Sequence, residues 1–435
     1  MFKLNNLLKN TSIVGVGTII SRVTGYMREF LMNAWLGASA VSDALIVATR
    51  IPTLLRKVST EGSLNGVLIP LIDELEQKHH KNTIANLINA IILIFSTAFI
   101  GFFIFETMFS KASLALLAPG ILNDPARLHW FSTFIPFTSL AIVFFFLGGV
   151  FSALLNYNQK FFLPSIVQTF WNLVLIIFVL SAQHYNLDYT ILGPAFLIAT
   201  IIQSMITFIP YLRLNIGFKI NFNPESRAML RQFFKNFFPV MFSASISQIN
   251  SVIIIILTSF LPLGNTTFLY RSERLLQIPI GLILALCTPL LPTLTKTHNE
   301  NDARKIIRSS LVICALVFVP MSIIFFFWSQ PLVKLVFFYG RCTMSDVIAM
   351  AGLLKIFAFG VPAFLLIRIM PIFFFARRKI SVTTKGAILH TTSSIILSVL
   401  LMYQYNAAGL ALASVIASWL HVIWLTFNLI KHKYI

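Results

Sequence analysis

Five charged side chains stand in stretches that a lipid bilayer should exclude: Arg22, Arg28 and Glu29 in the first apolar segment, Asp43 and Arg50 in the second. A charge at the centre of a membrane helix costs about 2.5–3.5 kcal/mol on insertion scales. Such a cluster is tolerated where the charges face trapped water, one another or an anionic ligand. Helical periodicity sorts them. Asp43, Arg50, Lys57 and Glu61 are spaced seven, seven and four residues apart, which keeps them on one helix face. Arg22 and Glu29 are also seven apart, with Arg28 about a third of a turn away. A guanidinium offers two parallel hydrogen bonds to a phosphate or pyrophosphate and stays ionised at any depth. With positive charge in excess, the stripes read as the lining of a wet cationic cavity that binds an anion. Internal ion pairs locking the first hairpin, Arg22 with Asp43 for instance, are the other reading. Both hold if an acid orients a neighbouring Arg for the ligand.

In the second half of the chain, Arg271, Glu273 and Arg274 fall in the eighth apolar segment. Arg274 is expected to face the cavity, whereas Arg271, nearer the interface, can snorkel. Lys355 and Arg368 are lone charges in the tenth segment. Arg56 and Lys57 sit at the inner mouth, as ordinary anchors or as a first docking point for an anionic headgroup. Other chemistries lack their residues. There is no Gly-x-x-x-x-Gly-Lys loop for an internal ATPase. A metal-dependent transferase would need a paired-aspartate loop, and none occurs. Cys287, Cys314 and Cys342 have neither metal nor redox spacing. His390 and His421 lie in apolar helices without an acid nearby and read as packed side chains. No metal and no cofactor are expected.

The elements that carry these residues follow from composition. Of 435 residues, 57% are hydrophobic and 11% charged, with mean hydropathy +0.85; soluble domains carry about 25% charged residues. The chain is therefore an all-α polytopic membrane protein, because only helices or closed barrels satisfy the backbone in lipid. The net charge of +19 points to an anionic membrane surface and an anionic substrate rather than nucleic acid, since no soluble basic domain carries it. About twelve spans are expected, at 11–35, 40–58, 84–108, 130–156, 164–183, 189–211, 236–261, 266–293, 309–330, 346–375, 381–403 and 408–430. With both termini cytoplasmic, twenty Lys and Arg fall in inner loops or, for Lys385, at the inner end of a span, and four in outer ones, as the positive-inside rule requires. The polar stretch 212–235 divides the chain into two six-helix lobes, 1–220 and 221–435. A parallel repeat leaves a trace: Leu36-Gly37 and Leu263-Gly264 are each followed, fifteen residues after the glycine, by a proline, Pro52 and Pro279. Each glycine is expected to mark a turn and each proline to loosen the helix after it. Ala38-Ser39-Ala40 imitates a signal-peptidase site, but the charges before it argue against cleavage.

The run Ser21-Arg22-Val23-Thr24-Gly25-Tyr26-Met27-Arg28-Glu29 resembles the first-helix signature of the MurJ (MviN) family of lipid II flippases. The resemblance continues through Ser42-Asp43-Ala44, Arg50-Ile51-Pro52, Glu61-Gly62-Ser63-Leu64 and Tyr270-Arg271-Ser272-Glu273-Arg274-Leu275. It implies two lobes of the kind found in the MOP and MATE exporters, rocking around a central cationic cavity. It implies a flippase rather than an enzyme, moving lipid II, an undecaprenyl-pyrophosphate-linked sugar-peptide, from the inner to the outer leaflet of the bacterial cytoplasmic membrane. Substrate-binding roles then fall to Arg22, Arg28, Arg50, Arg56 and Arg274, with Glu29, Asp43, Lys57, Glu61 and Glu273 as supporting charges. Besides the bilayer, cell-wall synthesis proteins are implied as partners. The alternatives are an exporter of drugs or of another polyprenyl-linked oligosaccharide, and a membrane enzyme acting on polyprenyl pyrophosphates. Two features depart from the pattern. Many members have fourteen helices, against the twelve expected here. Some carry an acidic sodium site among helices seven, eleven and twelve, yet 236–261, 381–403 and 408–430 hold no Asp or Glu. Membrane potential acting on the charged cavity is the expected drive.

Overall fold

Runs rich in Leu, Ile and Phe satisfy their backbones in lipid by helical bonding, and all regular structure among the described residues is helical. The computed structural model describes residues 2–58, 64–77, 81–214, 224–287, 290, 294, 297, 299–377 and 379–432. In chain order the helices are α1 (Phe2–Leu36), α2 (Ala40–Ala48), α3 (Arg50–Val58), α4 (Leu64–Gln77), α5 (Lys81–Met108), α6 (Ser110–Leu117), α7 (Pro125–Tyr157), α8 (Phe162–His184) and α9 (Leu192–Leu212). They continue with α10 (Pro224–Ser259), α11 (Asn265–Cys287), α12 (Glu300–Phe327), α13 (Ser329–Phe337), α14 (Met344–Ala376) and α15 (Ile380–Lys431). Among the described residues, seven helical stretches are long and apolar enough to cross a membrane.

The helices gather into two compact units. The first comprises Met1–Leu36, Ala44–Leu117 and Ile121–Gln248; the second comprises Gly37–Asp43, Ala118–Gly120 and Ile249–Ile435. At the centre of the first unit runs α7, buried along most of its length and packed against α3, α4, α5, α8 and α9. Small residues, Gly148 on α7 and Ser204 on α9, let these two backbones approach. Beside them Phe95 stacks on Phe146 at 4.5 Å and meets Phe237 edge-on at 5.5 Å.

Asp124 starts α7. Its carboxylate accepts from the backbone N–H groups of Ala126 and Arg127, each at 3.1 Å, and from Arg127 Nε at 2.7 Å. Burial pushes its pKa up, but the Arg127 hydrogen bonds and charge outweigh this and hold it below the ordinary 3.8. A depressed carboxylate stabilises the fold above its unfolded pKa, and that contribution fades as pH falls through the lower folded value. Asp124→Ala should therefore cost about 1 kcal/mol at neutral pH, read as a lower unfolding temperature in detergent. The gap to wild type should narrow below about pH 4; a gap that widens in acid would contradict the cap.

The second unit is built around α14, which packs against α11, α12, α13 and α15. Its buried residues Val347, Met350, Leu354, Phe357, Val361 and Leu365 recur every three or four positions. A capping box starts it: Thr343 Oγ1 accepts from Asp346 N–H while Asp346 accepts from Thr343 N–H. The long α15 is two helices, because Asn406 has φ 50° and ψ −132°. Its halves run antiparallel, tied by Trp424 Nε1 donating to Val382 O at 3.1 Å and by His390 beside Ser418 Oγ at 3.3 Å.

Gly37 and Gly264 have φ of 57° and 87°, a region that favours glycine, so both mark turns as their spacing predicts. The prolines behave differently. The second segment is interrupted at Thr49, three residues before Pro52, which has no N–H for Ala48 O and crowds it. By contrast, α11 passes Pro279 without a break.

Candidate functional site

In the first unit α1 is pinned to α8. Asn172 Nδ2 donates to Ser21 O at 3.1 Å and to Thr24 Oγ1 at 3.2 Å. At Gly17 a Cβ would come within 2.4 Å of Ser165 Oγ, so the backbones approach closely only because that residue is glycine. This docking fixes Arg28. Its guanidinium lies 4.6 Å over the Trp171 ring and pairs with Glu29. Trp171 is itself held by Nε1 donating to Thr200 Oγ1 at 3.1 Å. The arginine is thus oriented by a π face below and a carboxylate beside it, each strengthened by the low dielectric. Arg22, six residues earlier, is exposed. It lies about 100° round the helix from Val23, which belongs to the exposed apolar stripe Val16, Ile20, Val23 and Met27.

Arg50 is the first residue of α3, immediately after the break at Thr49. It is half-buried, and its Nε is buried with no hydrogen-bond partner among the described residues. A buried guanidinium donor without an acceptor is costly, and an anion would relieve that cost. Arg56 is half-buried with its guanidinium 5.8 Å from the Phe145 ring of α7. Lys57 is exposed. Glu61 lies outside the described residues.

In the second unit the charges are knit into the start of α11. Asp43 is fully buried. Its Oδ2 accepts from Gly264 N–H at 2.9 Å, and its Oδ1 accepts from Thr267 N–H at 3.0 Å and from the Thr267 hydroxyl. Its carboxylate caps the N-terminus of α11 from a segment 221 residues earlier in the chain, and its charge complements the helix dipole. The same segment caps its own helix, where Ser39 Oγ accepts from Ser42 N–H at 3.3 Å. Arg271, near enough to the interface to snorkel, is instead 5% exposed and donates to Gly37 O at 3.0 Å and Ser42 Oγ at 3.2 Å. Its partners are backbone and hydroxyl oxygens brought by another segment, so position within the eighth segment is a poor guide to it. Arg274 is half-buried, with Nη1 donating to Gln277 Oε1 at 3.2 Å and Nη2 to the Tyr270 hydroxyl. Its guanidinium lies 4.7 Å from the Tyr270 ring. Glu273 is exposed.

The structure thus joins Arg28 with Glu29, and Asp43 with α11, while Arg22, Lys57 and Glu273 stand exposed. Sequence reasoning missed Trp171, Thr267 and Tyr270. Tyr270 was within reach of it, four residues before Arg274 on one helix face. Trp171 and Thr267 carry no local signal, since they act across elements. Among the described residues no cluster of His, Cys, Asp and Glu could hold a metal ion.

Comparison with known proteins places the chain in a family. The sequence model of the family described as Lipid II flippase MurJ matches residues 32–435. The chain belongs to this family. A relative in Buchnera aphidicola subsp. Acyrthosiphon pisum, named Probable lipid II flippase MurJ, is 28% identical over 434 residues, covering 98% of this chain and 84% of its own. The Burkholderia cenocepacia Lipid II flippase MurJ is 27% identical over 392 residues, covering 88% of this chain and 76% of its own. Among solved structures, a lipid II flippase MurJ in an inward closed conformation matches with a TM-score of 0.84 at 24% identity, covering 96% of this chain and 87% of that one. An inward-facing multidrug resistance MATE family transporter of the MOP superfamily matches with a TM-score of 0.74 at 10% identity, covering 93% and 94%. At these identities the structural likeness is one of fold. The family is one of transporters rather than enzymes, and its apolar helices make this chain a multi-pass inner-membrane protein.

Proposed function

We propose that the protein is a flippase that carries lipid II from the inner to the outer leaflet of the cytoplasmic membrane by alternating access. The family match across residues 32–435 carries this reading, and the chemistry of the arginines supports it. In this reading Arg22, Arg28, Arg50, Arg56 and Arg274 bind the pyrophosphate. Glu29, Asp43, Lys57, Glu61 and Glu273 keep the local field balanced and the arginines oriented. The lobes 1–220 and 221–435 rock about a central cationic cavity while the polyprenyl tail stays in lipid. Both termini are cytoplasmic, a reading supported by the excess of Lys and Arg in the loops assigned to that side. Proteins of cell-wall synthesis would receive the product outside. A cavity of this sign repels cationic drugs, which disfavours drug export.

Depletion tests the reading. Cells losing the protein should accumulate lipid II on the inner leaflet while outer-leaflet lipid II, measured by accessibility to an added label, falls. Undiminished outer-leaflet lipid II would overturn it.

A further inference from the structure

One acid takes no part in the scheme above. Glu106, near the end of α5, is 2% exposed. Its Oε1 accepts from the Ser113 hydroxyl at 2.6 Å, while its Oε2 is buried with no hydrogen-bond partner among the described residues. It lines a cavity of about 10 Å³ with Val47, Ile51, Pro52, Phe102 and Ser139, roughly the space for one water-sized sphere. Among the described residues in this lining, which comes from α2, α3, α5, α6 and α7, Glu106 is the one titratable group. The other charged or titratable side chains described on these helices, Asp43 on α2, Arg50, Arg56 and Lys57 on α3, Lys111 on α6 and Arg127, His129 and Tyr157 on α7, are not part of the lining. An intramembrane acid without a paired cation is a functional candidate by default. An ionised carboxylate would need water or a cation at Oε2, and a metal ion would need more oxygens than this apolar wall supplies. A proton fits both the space and the single open oxygen.

We propose that Glu106 is a proton-binding site of the first unit, which takes its proton from water and holds it while the cavity is closed, and gives it back to water when the α2–α3 break opens the cavity. Pro52 lies in the cavity wall beside that break, so the wall is a soft point in the helix rather than a rigid span. On opening, the proton on Oε2 passes to water as hydronium and leaves a carboxylate that keeps the Ser113 hydroxyl as donor. Because Arg50 begins α3, movement at the break displaces a substrate-binding candidate, which links proton release to the substrate. The proton site rests on the cavity alone; the link to transport rests on the flippase reading.

The test uses the full-length protein in nanodiscs. Infrared spectra at neutral pH should contain a protonated-carboxyl C=O band that is lost in Glu106→Gln. In Ser113→Ala the band should move to higher wavenumber, because the carbonyl loses a hydrogen bond. In a second measurement, Val47→Cys is labelled by a small maleimide as pH is raised. Labelling should rise more steeply with Glu106 intact than in the Glu106→Gln background, a comparison that cancels the thiol's own titration. A band unchanged in Glu106→Gln, or labelling with the same pH dependence in both backgrounds, would overturn the proposal. Failure to move lipid II with these two results intact would count against the flippase reading alone.

Discussion

Asp43→Ala should melt the start of α11. The carboxylate is buried and accepts from two backbone N–H groups and one hydroxyl, and alanine leaves all three donors without it. Each stranded buried donor costs about 1–3 kcal/mol, and loss of the cap and its charge adds to that. A total of about 3 kcal/mol or more is expected, a large share of the stability of a typical domain. Hydrogen exchange at residues 264–268 should accelerate strongly, and the unfolding temperature in detergent should fall. Asp43→Asn retains one acceptor oxygen and should fall between the two. Equal exchange in wild type and Asp43→Ala would remove the capping role. The substitution should also slow transport, because α11 carries Arg274 and Arg271 grips the same segment through Gly37 O and Ser42 Oγ.

Arg28→Ala should reduce binding of a diphosphate-bearing lipid by about tenfold to a hundredfold, the equivalent of one charge-assisted hydrogen-bonded contact. The informative comparison is Arg28→Lys. Lysine keeps the charge but cannot lie flat on Trp171 or present a planar fork to a phosphate. If geometry decides, Arg28→Lys should behave almost like alanine, and Trp171→Leu should weaken binding while leaving the charge in place. If lysine restores full binding, the site reads charge alone. Binding to a fluorescent lipid II analogue and to a neutral polyprenol separates the pyrophosphate contribution from that of the tail.

The helical class and the membrane setting were legible in composition and period, because lipid leaves the backbone few solutions. The turns at Gly37 and Gly264 were legible for a similar reason, since a positive φ strongly favours glycine. Pro52 and Pro279 mark the limit of that reasoning. Both remove a backbone bond, yet the helix is interrupted near the first and continues past the second.

Partners across helices were decided by tertiary structure. Period put Asp43 on a face with Arg50, but its hydrogen bonds go to an α11 N-terminus hundreds of residues away in sequence. Depth left Arg271 free to snorkel, but it is buried and held by oxygens of the segment around Gly37. Trp171 beneath Arg28 and the one-water space beside Glu106 likewise depend on which helix lies against which. Hydropathy is a property of a run of residues and survives in one dimension. A hydrogen bond or a ring contact depends on tenths of an ångström between groups that only folding brings together.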